Sequence, residues 1–61
     1  MITHTAYDEG SDYELEVTLY SNCWEFDMSI HSNGWANTIS LNKEQVSNLI
    51  VSLVEMHKEM L

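Results

Sequence analysis

The sequence predicts an α+β domain, a three-stranded antiparallel β-meander packed on one face by a C-terminal α-helix, in the order β-β-β-α. Three observations predict it. Apolar residues alternate with polar ones between residues 12 and 41, Asn33-Gly34 interrupts that alternation, and after Asn42 the period becomes helical. With 61 residues the chain forms one domain. Its segments are an arm over 1–11, the meander over 12–41 and the helix over 42–61.

Residues 1–11 end in Asp8-Glu9-Gly10-Ser11 and carry no sustained period, so they read as an acidic, partly mobile arm. Tyr13, Leu15, Val17 and Leu19 then alternate with Glu14, Glu16, Thr18 and Tyr20, which predicts a first strand near 12–20. Ser21-Asn22 fits a two-residue turn. Trp24, Phe26, Met28 and Ile30 alternate with Cys23, Glu25, Asp27, Ser29 and His31, giving a second strand near 23–32. Asn33-Gly34 predicts a type I′ turn, which needs positive φ at both central residues. Residues 35–41 supply a third, weaker strand.

The two turns fix a register. Ser21-Asn22 sets Leu19 opposite Trp24, Val17 opposite Phe26, Leu15 opposite Met28 and Tyr13 opposite Ile30. Asn33-Gly34 sets Met28 opposite Ile39 and Phe26 opposite Leu41. Both place the apolar residues on one face, and a slip of one residue would scatter them.

Asn42 and Gln45 form a capping box, with Leu41 and Val46 as the hydrophobic staple. Val46, Leu49, Ile50, Leu53, Val54, His57 and Met60 follow at helical spacing over about 43–61. Met56 and Leu61 widen the apolar arc to roughly 160° at about 100° per residue. The helix is expected to lie across the apolar sheet face. Its arc exceeds what that contact needs, so a homodimer is expected through Val51, Val54, Met56 and Met60, or through an edge strand.

Composition narrows the function. Ten Asp and Glu against two Lys give a formal charge of −8, the wrong sign for direct nucleic-acid binding or an anionic membrane. A 44% apolar chain with two Trp, three Tyr and one Phe is too hydrophobic for a disordered acidic tail. One cysteine allows no internal disulfide, and His4, Cys23, His31 and His57 are too scattered for a zinc site. A chain this short buries only about 60% of its unfolded surface and commonly needs a partner subunit. The first residues lack the charged and apolar regions of a signal peptide, and no run spans a membrane. A cytoplasmic protein without cofactor or metal is expected.

The register places Glu14, Glu16, Glu25 and Asp27 on the sheet face away from the helix, with Glu16 opposite Asp27 and Thr18 opposite Glu25. Like charges facing across strands destabilise a sheet, and no Lys or Arg precedes Lys43. Such a face is either a solvated surface or a surface for a basic partner; a divalent-metal site or a carboxylate pair is the third reading. Tyr20 among the carboxylates reads as a recognition anchor or as an exposed tyrosine. An enzyme is not expected, because a flat face offers no water-excluding pocket, Gly10 and Gly34 form no phosphate loop, and no nucleophile sits in a motif. His57 reads as a core or interface histidine, His31 as a salt-linked surface one, Cys23 as a small packing residue, and Trp35 as a lid over the core edge.

Small size, the −8 charge and a short sheet with one helix resemble the acidic decoy proteins encoded by phages, among them inhibitors of restriction, of CRISPR effectors and of uracil-DNA glycosylase. Asp8, Glu9, Asp12, Glu14, Glu16, Glu25 and Asp27 carry the resemblance. It implies an inhibitor or modulator that occupies a basic, nucleic-acid-binding surface of another protein, in host cytoplasm if phage-encoded. The alternative is a homodimeric adaptor or assembly module whose acidity serves solubility only.

Overall fold

A computed structural model describes residues 1–61. Four strands and one helix follow in order: β1 (Ile2–Tyr7), β2 (Glu14–Leu19), β3 (Phe26–Ser32), β4 (Trp35–Leu41) and α1 (Lys43–Glu59). All strand pairs are antiparallel, and the sheet order is β1-β2-β3-β4. The α+β class with a C-terminal helix stands, but the sheet has four strands rather than three. The expected arm contributes β1. Its alternation is masked because His4 and Ala6 occupy apolar-side positions opposite Val17 and Leu15. Ile, Thr and Tyr still suit a pleated surface, and β1 supplies the partner that β2 needs on its open edge.

The Asn33-Gly34 turn forms as expected, with φ of 40° and 87°. Met28 faces Ile39 and Phe26 faces Leu41. The β2–β3 connection differs. Instead of a two-residue turn at Ser21-Asn22, a loop over 20–25 closes with the Tyr20 N–H donating to the Glu25 carbonyl at 3.0 Å. The Asn22 side-chain oxygen accepts from the Trp24 and Glu25 N–H groups at 2.9 and 3.2 Å, and Cys23 takes a φ of 61°. These local bonds add two residues to the connection between the paired ends, 21–24 in place of 21–22.

The β2–β3 register therefore shifts by two. Leu19 faces Phe26, Val17 faces Met28 and Leu15 faces Ile30. A shift of two preserves the faces, so the apolar residues remain together. It also removes an expected repulsion, since Glu16 faces Ser29 and Asp27 faces Thr18. Glu25 and Cys23 lie in the loop, and Trp24 stands there 86% exposed.

The helix starts on its capping box: the Asn42 side chain accepts from the Gln45 N–H, and the Gln45 side chain accepts from the Asn42 N–H, both at 2.9 Å. Its expected position across the sheet is not found. No helical residue is buried, and only Val46 and Leu49 are half-buried. Asn42 alone joins β4 to α1, in an extended conformation. Strand-to-helix connections that reverse the chain onto a sheet take roughly 2–6 residues. One extended residue instead carries the helix away from the sheet.

The consequence is a chain without an apolar core. Only Thr18, Ser29 and Ser32 are buried, and no hydrophobic residue is. The radius of gyration, 12.9 Å, exceeds the value of about 10.5 Å for a compact domain of this length.

Candidate acidic recognition face

Strand alternation divides the sheet into two faces. One carries Leu15, Val17 and Leu19 from β2 with Phe26, Met28 and Ile30 from β3. Tyr13 and Trp35 meet edge to face at its end, with ring centroids 6.0 Å apart. Trp35 thus covers a tyrosine at the sheet margin and no closed core.

The other face is polar in rows across all four strands. Thr3, Thr18, Asp27 and Ser40 form one row, and Thr5, Glu16, Ser29 and Thr38 the next. Tyr7, Glu14, His31 and Ala36 form the third. Hydroxyls tie neighbouring strands within each row: Ser29 Oγ lies 2.7 Å from Thr38 Oγ1, and Thr3 Oγ1 lies 3.5 Å from Thr18 Oγ1. Ser40 donates its hydroxyl to Asp27 Oδ1 at 2.6 Å, a short bond of the kind that an ionised acceptor favours. The His31 Nε2 is shut off from solvent, bonds no group and stands 4.0 Å from Glu16 Oε1.

Four of the expected recognition residues converge here. Tyr20 follows β2 on the polar side, and its phenol is held above the ordinary value of 10.0. The cause is first its hydrogen bond to Asp27, then the Asp27 charge, with burial, Glu25 and Glu16 adding to it. A phenolate beside three carboxylates is disfavoured, so the phenol keeps its proton. The result is a flat array of carboxylate and hydroxyl oxygens with an aromatic ring at its margin. Its carboxylate oxygens can accept hydrogen bonds from Arg or Lys side chains, while the Thr18 and Ser29 hydroxyls are buried and paired within the sheet.

The other expected residues lie elsewhere. Glu14 is on the same face but in the far row, opposite His31. Asp8 and Glu9 belong to the β1–β2 turn. The Asp8 carboxylate accepts from the Gly10 N–H at 3.0 Å and the Ser11 hydroxyl at 2.9 Å. These bonds, the Gly10 one first, lower its pKa from the ordinary 3.8. Asp8 is therefore committed to the turn. Asp12 accepts from the Asn33 side-chain amide at 3.3 Å, beside the second hairpin.

The hydroxyl residues went unread in the sequence. Ser40 was within reach of sequence reasoning, because the Asn33-Gly34 register already sets it opposite Asp27. Cys23 is an exposed, free thiol in the β2–β3 loop, not a strand residue packed on a neighbour. His57 is exposed on the helix. No three His, Cys, Asp or Glu side chains are grouped so as to hold a metal ion. No helix is long and apolar enough to cross a membrane. Comparison with protein-family models, with curated proteins and with solved structures returns no match.

Proposed function

We propose that this chain is a non-enzymatic protein-binding inhibitor or modulator whose acidic sheet face occupies a basic, nucleic-acid-binding surface on another protein in the cytoplasm. One observation carries the reading. Both lysines, Lys43 and Lys58, lie on the helix, while Glu16, Glu25 and Asp27 surround Tyr20 with no Lys or Arg on any strand. A face of one sign steers a basic partner from a distance and rejects acidic ones. The array of oxygens takes the place of a phosphate backbone, and Tyr20 supplies the apolar contact. The reading calls for no cofactor and no direct contact with nucleic acid.

A second reading, an assembly module whose acidity serves solubility, is favoured by the open apolar face. Competition separates the two. Proteins retained by the immobilised chain are challenged with duplex DNA, RNA and rising salt, and the capture is repeated with the double variant Glu16→Lys, Asp27→Lys. Under the first reading, nucleic acid and salt release the partner and the variant retains none. Partners that withstand salt and nucleic acid, and that bind the variant equally, favour the assembly module.

A further inference from the structure

We propose that the protein is a reciprocal dimer in which α1 of each copy lies across the apolar sheet face of the other. The proposal is independent of what the acidic face binds. Both halves of a hydrophobic core exist in one chain, and neither is covered. On the sheet Ile39 is 59% exposed and Ile30 47%; on the helix Ile50 is 55% exposed and Leu53 51%.

The linker decides whose helix covers which sheet. With Asn42 as the only residue between β4 and α1, only the first turn of the helix, at Val46, lies beside Leu19 and Phe26 of its own sheet, and the rest is presented outward to another. Its 17 residues run about 25 Å, enough to cross four strands whose outer members stand about 14 Å apart. Reciprocal exchange closes on a two-fold axis and satisfies both copies at once.

The area agrees. The chain exposes 5296 Å², whereas a folded monomer of 7.1 kDa exposes about 4,100 Å². The excess, about 1,200 Å² per chain, gives about 2,400 Å² for a pair, within the roughly 2,000–5,000 Å² of obligate homodimers.

Charge also permits it, although each copy carries −8. At about 100° per residue, Glu44, Glu55 and Glu59 fall on the side of the helix opposite Val46 and Leu53. The sheet carboxylates Glu16 and Asp27 face away from the apolar side. Both acidic surfaces therefore point outward from the dimer, and the facing layers carry no carboxylate; their titratable members are His4 on the sheet and His57 on the helix. Val54, Met56 and Met60 join this layer, and Val51 stands on its flank.

The test is disulfide trapping in a Cys23→Ser background. A chain with Met28→Cys on the sheet is refolded together with a chain carrying Leu53→Cys on the helix, and a third chain carries both. The expected result is a disulfide between the two different chains, and light scattering of the parent protein at twice the 7.1 kDa chain mass. A disulfide confined within the doubly substituted chain, like-with-like disulfides alone, or no disulfide in any sample overturns the proposal. So does a parent protein that stays at single-chain mass at high micromolar concentration. A second variant, with six Gly and Ser residues inserted between Leu41 and Asn42, lets each helix reach its own sheet. The dissociation constant of the dimer should then rise at least tenfold, and an unchanged constant overturns the exchanged geometry.

Discussion

On the side of the sheet that carries Thr18 and Ser29, both residues are buried and both hydroxyls have partners within the sheet. On the side that carries Val17 and Met28 no apolar residue is buried, and only Ser32, opposite Trp35 at the hairpin end, is covered. The chain thus completes its polar face and leaves its apolar face open. The difference follows from what each kind of side chain needs. A short hydroxyl is satisfied by the residue beside it on the next strand, whereas an apolar side chain needs a second layer packed about 10 Å away. The sequence makes that layer as α1, and Asn42 directs it elsewhere.

The largest effect separates the two faces directly. Val17→Asp places a carboxylate on the apolar face, under the layer that the proposed dimer would lay over it, where an unpaired charge is expelled or neutralised. It should cost about 3 kcal/mol or more and lower the mass of the assembly. Thr5→Asp, on the polar face of the neighbouring strand, should stay within about 1 kcal/mol. Chemical denaturation with light scattering on both variants checks this. Equal losses would mean that the apolar face is not covered in solution.

A smaller effect tests what holds the faces in register. Gly34 has a φ of +87° with nothing near its absent Cβ, so Gly34→Ala strains only the backbone. Its cost should be about 1–2 kcal/mol, the penalty for an L side chain in the left-handed region. A loss near zero in denaturant titration would place the β3–β4 turn in another conformation. Asn42→Ala removes half of the capping box and should cost about 1 kcal/mol. Because α1 beyond its first turn packs on none of its own sheet, in the proposed dimer that loss should appear in dissociation as well as in helix content by circular dichroism.

These variants also mark how much of the molecule was legible in its sequence. The Asn33-Gly34 register and the Asn42–Gln45 box were readable because each is set by residues within one turn of the chain. The β2–β3 register was misread by two, because the bonds from Asn22 that hold the loop leave no trace in the apolar alternation. Parity survived the slip, so Glu16, Tyr20 and Asp27 share a face as expected, while Glu25 moved into the loop. The expected Glu16–Asp27 repulsion had suggested a face kept acidic at a cost. Pairing with Ser29 and Thr18 removes that cost, so the acidic face must be judged by what binds it. β1 was missed because His4 and Ala6 blunt its apolar side. The place of the helix was not legible because amphipathicity marks a face that packs, not the surface it packs on.

The smallest effect is confined to the polar face and reads its electrostatics one group at a time. Tyr20 ionises above the ordinary 10.0, first through its hydrogen bond to Asp27 and then through the Asp27 charge. A folded value above the unfolded one means that the fold favours the neutral phenol. The stability tied to Tyr20 is therefore complete below about pH 10 and is lost as the pH rises through the folded value. Asp8 has the opposite sign: its lowered value gives stability that is present above 3.8 and is lost as the pH falls through the folded value. Asp27→Asn removes the charge that Tyr20 faces while keeping an acceptor for Ser40. The Tyr20 ionisation midpoint, followed by its ring carbon signals in NMR, should fall toward 10.0, while the Asp8 midpoint stays where it was. A Tyr20 midpoint unmoved by Asp27→Asn would separate the phenol from the carboxylate cluster. The aromatic contact proposed for the acidic face would then have to come from another residue.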